Sequence, residues 1–111
     1  MENNSPLNKL QQLMVITMEE CGELVQQCSK TIRKFNTIDE ALEDTTRASV
    51  NRTKLIEEAG DVLCMIELMV EHGILTDHEL AVRVLEKRDK LKTWSNLIVE
   101  EVVEDLGQKP G

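Results

Sequence analysis

Two short acidic motifs interrupt segments whose apolar spacing otherwise predicts amphipathic α-helices. They are Glu19-Glu20-Cys21-Gly22-Glu23 and Glu57-Glu58-Ala59-Gly60-Asp61. At 3.6 residues per turn, Glu20 falls nearly in line with Leu13, and Glu58 falls nearly in line with Met65. Both glutamates therefore point toward the packed side of their helix, and a second acid follows each of them one turn later. Any fold of this chain must accommodate carboxylates where core residues are expected.

These carboxylates predict a divalent metal site. Four converging carboxylates cannot all stay charged in a dry interior unless protons or cations compensate them. A set of carboxylates without His or Cys suits Mg²⁺ or Mn²⁺ better than Zn²⁺. Di-iron bundles typically use Glu-x-x-His, and neither His72 nor His78 has a glutamate three residues before it.

The composition predicts one all-α domain over residues 1–111. The chain is 41% hydrophobic and 31% charged but only 2% aromatic, which suits a helical bundle better than a sheet. A chain of 111 residues has a modest core, and the apolar band of its second long helix is wide. We therefore expect a bundle of about four helices that is completed by homo-oligomerisation, as a dimer or a tetramer.

Capping signals predict where the helices begin and end. Ser5-Pro6 resembles an N-cap followed by a first-turn proline, and Asn36 is a candidate for a left-handed stop. An acidic crossover with room for a short helix follows, and Gly73 is expected to cap the next long helix. The four predicted helices run from Pro6 to about Phe35, from about Asn51 to His72, from Thr76 to about Lys92 and from about Ser95 to Leu106.

Charge and cysteine content limit the partners and the compartment. The net charge of -8 argues against binding to nucleic acid or to an anionic membrane, because both are themselves anions. Cys21, Cys28 and Cys64 lie within apolar helical pattern, so we predict reduced and buried thiols. The chain has no charged-then-apolar leader and no apolar run of about 18 residues, which predicts a cytoplasmic protein.

The spacing of the acidic motifs also carries a family resemblance. The relevant residues are Glu19-Glu20-x-x-Glu23, Glu57-Glu58-x-x-Asp61, and the segments 28–35 and 90–97. From about Leu10 to Asn96 the chain resembles the MazG-like all-α nucleoside triphosphate pyrophosphohydrolases, especially the compact members often found in phages. The resemblance implies Mg²⁺-dependent cleavage of an NTP or dNTP to the monophosphate and pyrophosphate. It also implies a role in nucleotide-pool control, including purine deoxynucleotides, and its metal ligands fall on Glu20, Glu23, Glu58 and Asp61.

Other polar residues are candidates for catalysis and phosphate binding. Glu19 and Glu57 lie about 100° around the helix from their neighbours, so each is a group that supports the metal ligands, a catalytic base that positions the attacking water, or an exposed acid. Lys30 lies two turns beyond Glu23 on the same face and is the best candidate for phosphate binding. Arg33 extends this basic patch, or it is a solvated residue at a helix end.

The third predicted helix adds further candidates. Lys87 places a charge on an apolar stripe, where it either contacts phosphate or snorkels to the rim. Trp94 either stacks on a nucleobase or packs as an interface anchor. Asn96 either reads a base edge or caps a helix.

Two alternatives to a general NTP pyrophosphohydrolase stay open. The first is a related all-α pyrophosphohydrolase with narrower substrates, of the dUTPase-like or phosphoribosyl-ATP type. The second is a non-catalytic helical assembly module whose acids bind a structural cation. A substrate panel separates the two enzymes, and the module predicts metal-dependent stability without turnover.

Overall fold

Helices account for all the regular secondary structure of residues 6–99, the part of the chain that the computed structural model describes. The four helices are α1 (Lys9–Lys34), α2 (Ile38–Leu42), α3 (Thr46–Glu71) and α4 (Asp77–Trp94). The all-α class is therefore confirmed. The chain divides into two compact units, Met1–Ile74 and Leu75–Gly111, so that α1, α2 and α3 belong to the first unit and α4 to the second.

The start of α1 differs from the prediction. Asn8 caps the helix, because its Oδ1 accepts from the backbone N–H of Gln11 at 2.8 Å and its own N–H donates to Gln11 Oε1 at 3.0 Å. This reciprocal capping box, and not Pro6, determines where α1 begins. Pro6 lies outside the helix and is not its first residue, while Ser5 lies outside the described residues.

The predicted left-handed stop at Asn36 is wrong. Among residues 6–99, no residue other than glycine has a positive φ. The chain instead leaves α1 through Phe35 in an extended conformation, with its N–H bonded to Thr31 O at 3.0 Å. The N–H of Asn36 donates to Glu40 Oε1 at 2.7 Å, so Asn36 has no need of a left-handed conformation.

The crossover holds the predicted short helix, and α3 begins earlier than expected. Thr37 caps α2, and Thr45 Oγ1 accepts from the N–H of Ala48 at 3.3 Å, so α3 starts at Thr46 and not near Asn51. The helix ends as predicted within a residue, with His72 as the C-cap and Gly73 at φ 77° immediately after it. A glycine serves there because side chains disfavour that backbone region.

The last helix also corrects a prediction. Thr76 and Glu79 form the predicted capping box at the start of α4. Ser95 was expected to begin a fourth helix, but it is the C-cap of α4, and residues 95–99 are not helical. Its hydroxyl donates to Leu91 O at 2.9 Å and accepts from the N–H of Leu97 at 3.2 Å, which holds the chain out of the helix. The rest of the predicted helix, residues 100–106, lies outside the described residues.

Helices α1 and α3 pack side by side as an antiparallel pair. Hydrogen bonds join Gln27 and Thr31 of α1 to Asn51 near the start of α3, whereas the earlier Glu20 lies beside Asp61 farther along α3. The facing residues recur every three or four positions, the spacing of a coiled-coil seam. We call them the inner stripes: Leu13, Thr17, Glu20, Leu24, Gln27 and Thr31 on α1, and Ala48, Asn51, Leu55, Glu58, Val62, Met65 and Met69 on α3, all buried or half-buried.

A second set of apolar residues lies one position after the inner stripes. Each residue along a helix rotates the side-chain direction by about 100°. Because α1 and α3 are antiparallel, the residues that follow the inner stripes by one position point to the same side of the pair on both helices. The residues on this side are exposed or half-buried, for example Val25 at 68% and Ile32 at 76% exposure. We call this side the outer apolar face: Met14, Met18, Cys21, Val25, Cys28 and Ile32 on α1, and Ile56, Ala59, Leu63, Ile66 and Val70 on α3.

The prediction of buried cysteines is wrong. Cys21, Cys28 and Cys64 are all exposed. The inner stripe of α1 uses Glu20 and Gln27, the residues just before Cys21 and Cys28, so the two thiols lie on the outer apolar face. Cys64 instead lies one position before the buried Met65, on the side of the helix pair opposite the outer apolar face. Within the described residues, no helix is long and apolar enough to cross a membrane.

Candidate metal centre

Four carboxylates of the two acidic motifs meet between α1 and α3. One oxygen from each of four side chains lies within 4.8 Å of the others. Glu20 and Glu58 belong to the inner stripes and are half-buried, whereas Glu23 and Asp61 are exposed at the edge of the helix pair. The two helices therefore contribute equally: the carboxylates are those of Glu20, Glu23, Glu58 and Asp61.

The edge that holds Glu23 and Asp61 is the side opposite the outer apolar face. Its residues lie one position before those of the inner stripes. Because α1 and α3 are antiparallel, these residues of both helices point to the same side of the pair. All of these side chains are exposed. We call this side the charged flank: Glu19, Glu23, Gln26 and Lys30 on α1, and Lys54, Glu57, Asp61 and Cys64 on α3.

The cluster is electrostatically unfavourable as it stands. Partial burial of Glu58, a side-chain hydrogen bond with Glu23 and the negative charges of Glu23, Asp61 and Glu57 raise the pKa of the Glu58 carboxyl above its usual range. Glu20 Oε1 is buried and has no hydrogen-bond partner in the described part of the chain. A buried oxygen without a donor is costly, so the cluster favours a proton or a cation.

The donor set fits a hard divalent cation. All four candidate ligands are carboxylates, the oxygen type that Mg²⁺ and Mn²⁺ prefer. Oxygens at about 2.1 Å from a Mg²⁺ ion lie at most about 4.2 Å apart, which is only slightly shorter than the span of the cluster. Small side-chain rotations would bring the oxygens to that distance, and a cation there would also satisfy the buried Glu20 Oε1.

The two candidate bases lie beside the cluster on the charged flank. Glu19 and Glu57 are exposed, each one position before a half-buried glutamate of the cluster. Glu57 forms an ion pair with Lys54 at 3.5 Å, in which both side chains are more than half exposed. Exposed pairs of this kind contribute little to stability, so Glu57 can exchange this partner for another at small cost.

The candidate phosphate-binding residues of α1 lie on or next to the same flank. Lys30 is exposed and lies two helical turns beyond Glu23, as predicted. Arg33 is also exposed, and its Nη1 donates to Ser29 Oγ at 2.7 Å. Because both cations follow the carboxylates along one helix, they lie on the α2 side of the cluster.

Lys87, Trp94 and Asn96 belong to the second unit. All three side chains are exposed, and Trp94, the last residue of α4, is 82% exposed. Their roles as phosphate and base contacts stay predictions.

Two features of the site were not predicted from the sequence. Lys54 precedes Asp61 by seven residues, as Lys30 follows Glu23 by seven, so the charged flank has a cation from each helix. Gln27 and Asn51 form a buried polar contact within the inner stripes. Both could have been found by extending the seven-residue spacing outward from each acidic motif.

Comparisons with known proteins complete the description of the site. No protein-family model, no curated protein and no solved structure matches the chain. The resemblance to MazG-like pyrophosphohydrolases therefore rests on the acidic motifs and the segments around them, and the carboxylate cluster is the structural feature that bears on function.

Proposed function

We propose that this chain is a homo-oligomeric, Mg²⁺-dependent pyrophosphohydrolase that cleaves (d)NTPs between the α and β phosphates. The observation that carries the proposal is the convergence of four carboxylates from two helices, one of them with a buried and unpaired oxygen. The motif spacing that resembles the MazG-like enzymes supplies the substrate class. Nucleotide-pool control, including purine deoxynucleotides, is the biological role that this resemblance supports.

Each residue of the cluster has a proposed task. Glu20, Glu23, Glu58 and Asp61 would hold Mg²⁺, with Mn²⁺ as an alternative. The bound cation would supply Lewis acidity toward the phosphates and lower the pKa of the attacking water. Glu19 and Glu57 would orient that water and accept its proton; the proposal is supported by their exposed positions next to Glu20 and Glu58.

Cations near the cluster suit a triphosphate, whose charge exceeds that of one metal ion. Lys30 and Arg33 approach from α1, and Lys54 lies on α3 on the same flank. We propose that they bind phosphate oxygens and so stabilise the charge that develops during cleavage. Lys87 is proposed as a further phosphate contact, and Trp94 and Asn96 as base contacts.

A substrate panel tests the proposal. Incubation with ribo- and deoxynucleoside triphosphates should give nucleoside monophosphate and pyrophosphate when Mg²⁺ is present, and no product when EDTA replaces it. Chromatography and a pyrophosphate assay measure both products and rank the bases. Release of diphosphate and orthophosphate would mean that a different bond is cut. Binding of Mg²⁺ without any product would favour a structural assembly module.

Homo-oligomerisation is proposed from the outer apolar face. Among residues 6–99 only four apolar residues are buried, which is a small core for a stable chain: Leu13, Phe35, Ala48 and Met65. The outer apolar face meanwhile exposes a continuous double row of apolar side chains. Two copies that pair these faces would form a four-helix arrangement and bury both rows, as a dimer or as half of a tetramer.

Charges on the outer apolar face should therefore dissociate the oligomer. We expect the double variant Val25→Glu and Leu63→Glu to lower the mass by a factor of two or four in size-exclusion chromatography with light scattering. Gln26→Glu with Cys64→Glu is the matched control, because it adds the same two negative charges on the charged flank, where both side chains are exposed, and should keep the wild-type mass. A wild-type chain that is already monomeric would contradict the proposed assembly.

A further inference from the structure

A single buried polar contact joins the inner stripes on the α2 side of the carboxylates. Gln27 Nε2 donates to Asn51 Oδ1 at 3.1 Å, and the Thr31 hydroxyl lies 3.3 Å from the same oxygen while donating to Gln27 O at 2.8 Å. Gln27 is 5% exposed and Asn51 is 1% exposed. We call these three residues the amide layer.

The amide layer lies seven residues from the carboxylate cluster on each helix. Gln27 follows Glu20 by seven residues, and Asn51 precedes Glu58 by seven. Seven residues of helix rise about 10 Å, so the layer lies two turns from the carboxylates and is too far away to touch a cation held by them. Any effect of the layer on the cluster must therefore pass through the relative position of α1 and α3.

The apolar residues of α3 do not select that position by themselves. The apolar residues Ala48, Leu55, Val62 and Met69 repeat every seven residues along α3, so a slip of one repeat presents an apolar residue of α3 to most positions of α1 again. The carboxylates themselves oppose the observed position, because it brings four acids within 4.8 Å. A slip of one repeat would separate the two acidic pairs by about 10 Å and relieve their repulsion.

The amide layer distinguishes the observed register from a slipped one, which the repeated apolar residues of α3 do not do by themselves. In a slipped register Asn51 Oδ1 would lose the hydrogen bond from Gln27 and its contact with the Thr31 hydroxyl. Its Nδ2 already has no partner among the described residues, so the buried amide would then keep no hydrogen bond within the layer. Buried polar groups are strongly penalised when unpaired, and a buried Asn in a heptad seam is a known means of selecting register.

We propose that the amide layer fixes the axial register of α1 against α3 and thereby holds the four carboxylates together. Gln27 and Asn51 are positioning residues, and their importance for metal binding rests on the function proposed above. Their effect on the register does not depend on that proposed function, because the register is a property of the metal-free helix pair.

Two double variants test the role of the amide layer. Gln27→Leu with Asn51→Leu replaces the amides by an apolar pair, whereas Gln27→Asn with Asn51→Gln inverts the pair and keeps an amide on each helix. Mn²⁺ affinity is measured by calorimetry with the metal alone. Register is measured in EDTA by pulsed EPR between nitroxides at Gln26→Cys and Glu71→Cys, diluted with unlabelled protein. The EPR variants replace the native cysteines by alanine: Cys21, Cys28 and Cys64.

The apolar pair should fold with undiminished thermal stability in EDTA but bind Mn²⁺ at least about 10-fold more weakly. Its label distance should shift by about 10 Å, or split into two populations, because a slip of one seven-residue repeat moves α1 by about that length along α3. The inverted pair should retain the wild-type affinity and distance. If the apolar pair lacks helical circular dichroism, Gln27→Met, which removes only the cross-helix donor, should show the same two losses.

An apolar pair with the wild-type distance and the wild-type Mn²⁺ affinity would overturn the proposal. If the wild-type protein binds no Mn²⁺, the metal centre proposed above fails, and the label distance in EDTA still decides whether the amide layer sets the register. The two failures are therefore distinguishable.

Discussion

Glu58→Gln is expected to lower pyrophosphohydrolase turnover by at least about 1,000-fold, since loss of a metal ligand removes several kcal/mol of transition-state stabilisation. Glu58 is the half-buried member of the α3 pair and lies between Glu23, Asp61 and Glu57, whose charges act on it. Glutamine keeps the shape but cannot carry the negative charge that binds the cation. Steady-state pyrophosphate release at saturating Mg²⁺ measures the loss, and circular dichroism should show unchanged helix content.

Glu67→Gln is the matched control for this substitution. Glu67 is exposed on the same helix and lies outside the carboxylate cluster, so the same chemical change there should leave turnover within about twofold of wild type. Wild-type turnover in Glu58→Gln would remove Glu58 from the proposed ligand set. An equal loss in both variants would point to a general effect of charge on the fold.

The helices and the acidic cluster could be predicted from the sequence because both depend on local spacing. Helical periodicity alone brings Glu20 and Glu23 to one side of α1, and Glu58 and Asp61 to one side of α3. The structure then places the two pairs together, as expected if both packed sides face each other. Reciprocal capping at Thr76 was predicted correctly for the same reason, since its partner Glu79 is only three residues away.

The apolar residues of α1 predicted only part of its packed side, because Leu13 was placed there correctly and the two thiols were not. Two stripes on that helix have the same three-and-four spacing, one through Glu20 and Gln27 and one through Cys21 and Cys28. Hydrophobicity favours the stripe with the thiols, yet the polar stripe faces α3 because Gln27 bonds to Asn51 there. A helix with two seams needs two neighbours, and the thiol-bearing seam is the one that the first unit leaves exposed.

The exact ends of the helices depended on competition between capping residues. Pro6 and Asn36 are good signals in isolation, but Asn8 and Thr45 form side-chain hydrogen bonds to nearby backbone N–H groups and set the observed starts of α1 and α3. Such competition is decided by small differences in free energy, typically about 1 kcal/mol for a cap. Sequence signals of similar strength therefore leave uncertainties of a few residues.

Mg²⁺ is expected to stabilise the protein more strongly as the pH rises from 5 to 7.5. At a free Mg²⁺ concentration about 100 times its dissociation constant, binding to the folded state alone contributes about 2.7 kcal/mol, a rise in Tm on the order of 10 °C. Protons compete for the same carboxylates, and the raised pKa of Glu58 extends that competition above the usual range of a glutamate. Thermal unfolding in Mg²⁺ and in EDTA across this pH range measures the difference.

In the metal-free protein the Glu58 carboxyl should have the opposite effect: its contribution to folding stability should fall as the pH rises. Because the pKa of Glu58 is higher in the folded than in the unfolded state, the folded protein binds more protons between the two values. The contribution of Glu58 to folding stability is therefore present at acidic pH and is lost as the pH rises through the pKa that Glu58 has in the folded state. Glu58→Gln removes this charge, so in EDTA at pH 7.5 the variant should unfold at a higher temperature than wild type while losing the Mg²⁺ effect. A lower unfolding temperature in EDTA, or an unchanged Mg²⁺ effect, would contradict the proposed balance between repulsion and cation binding.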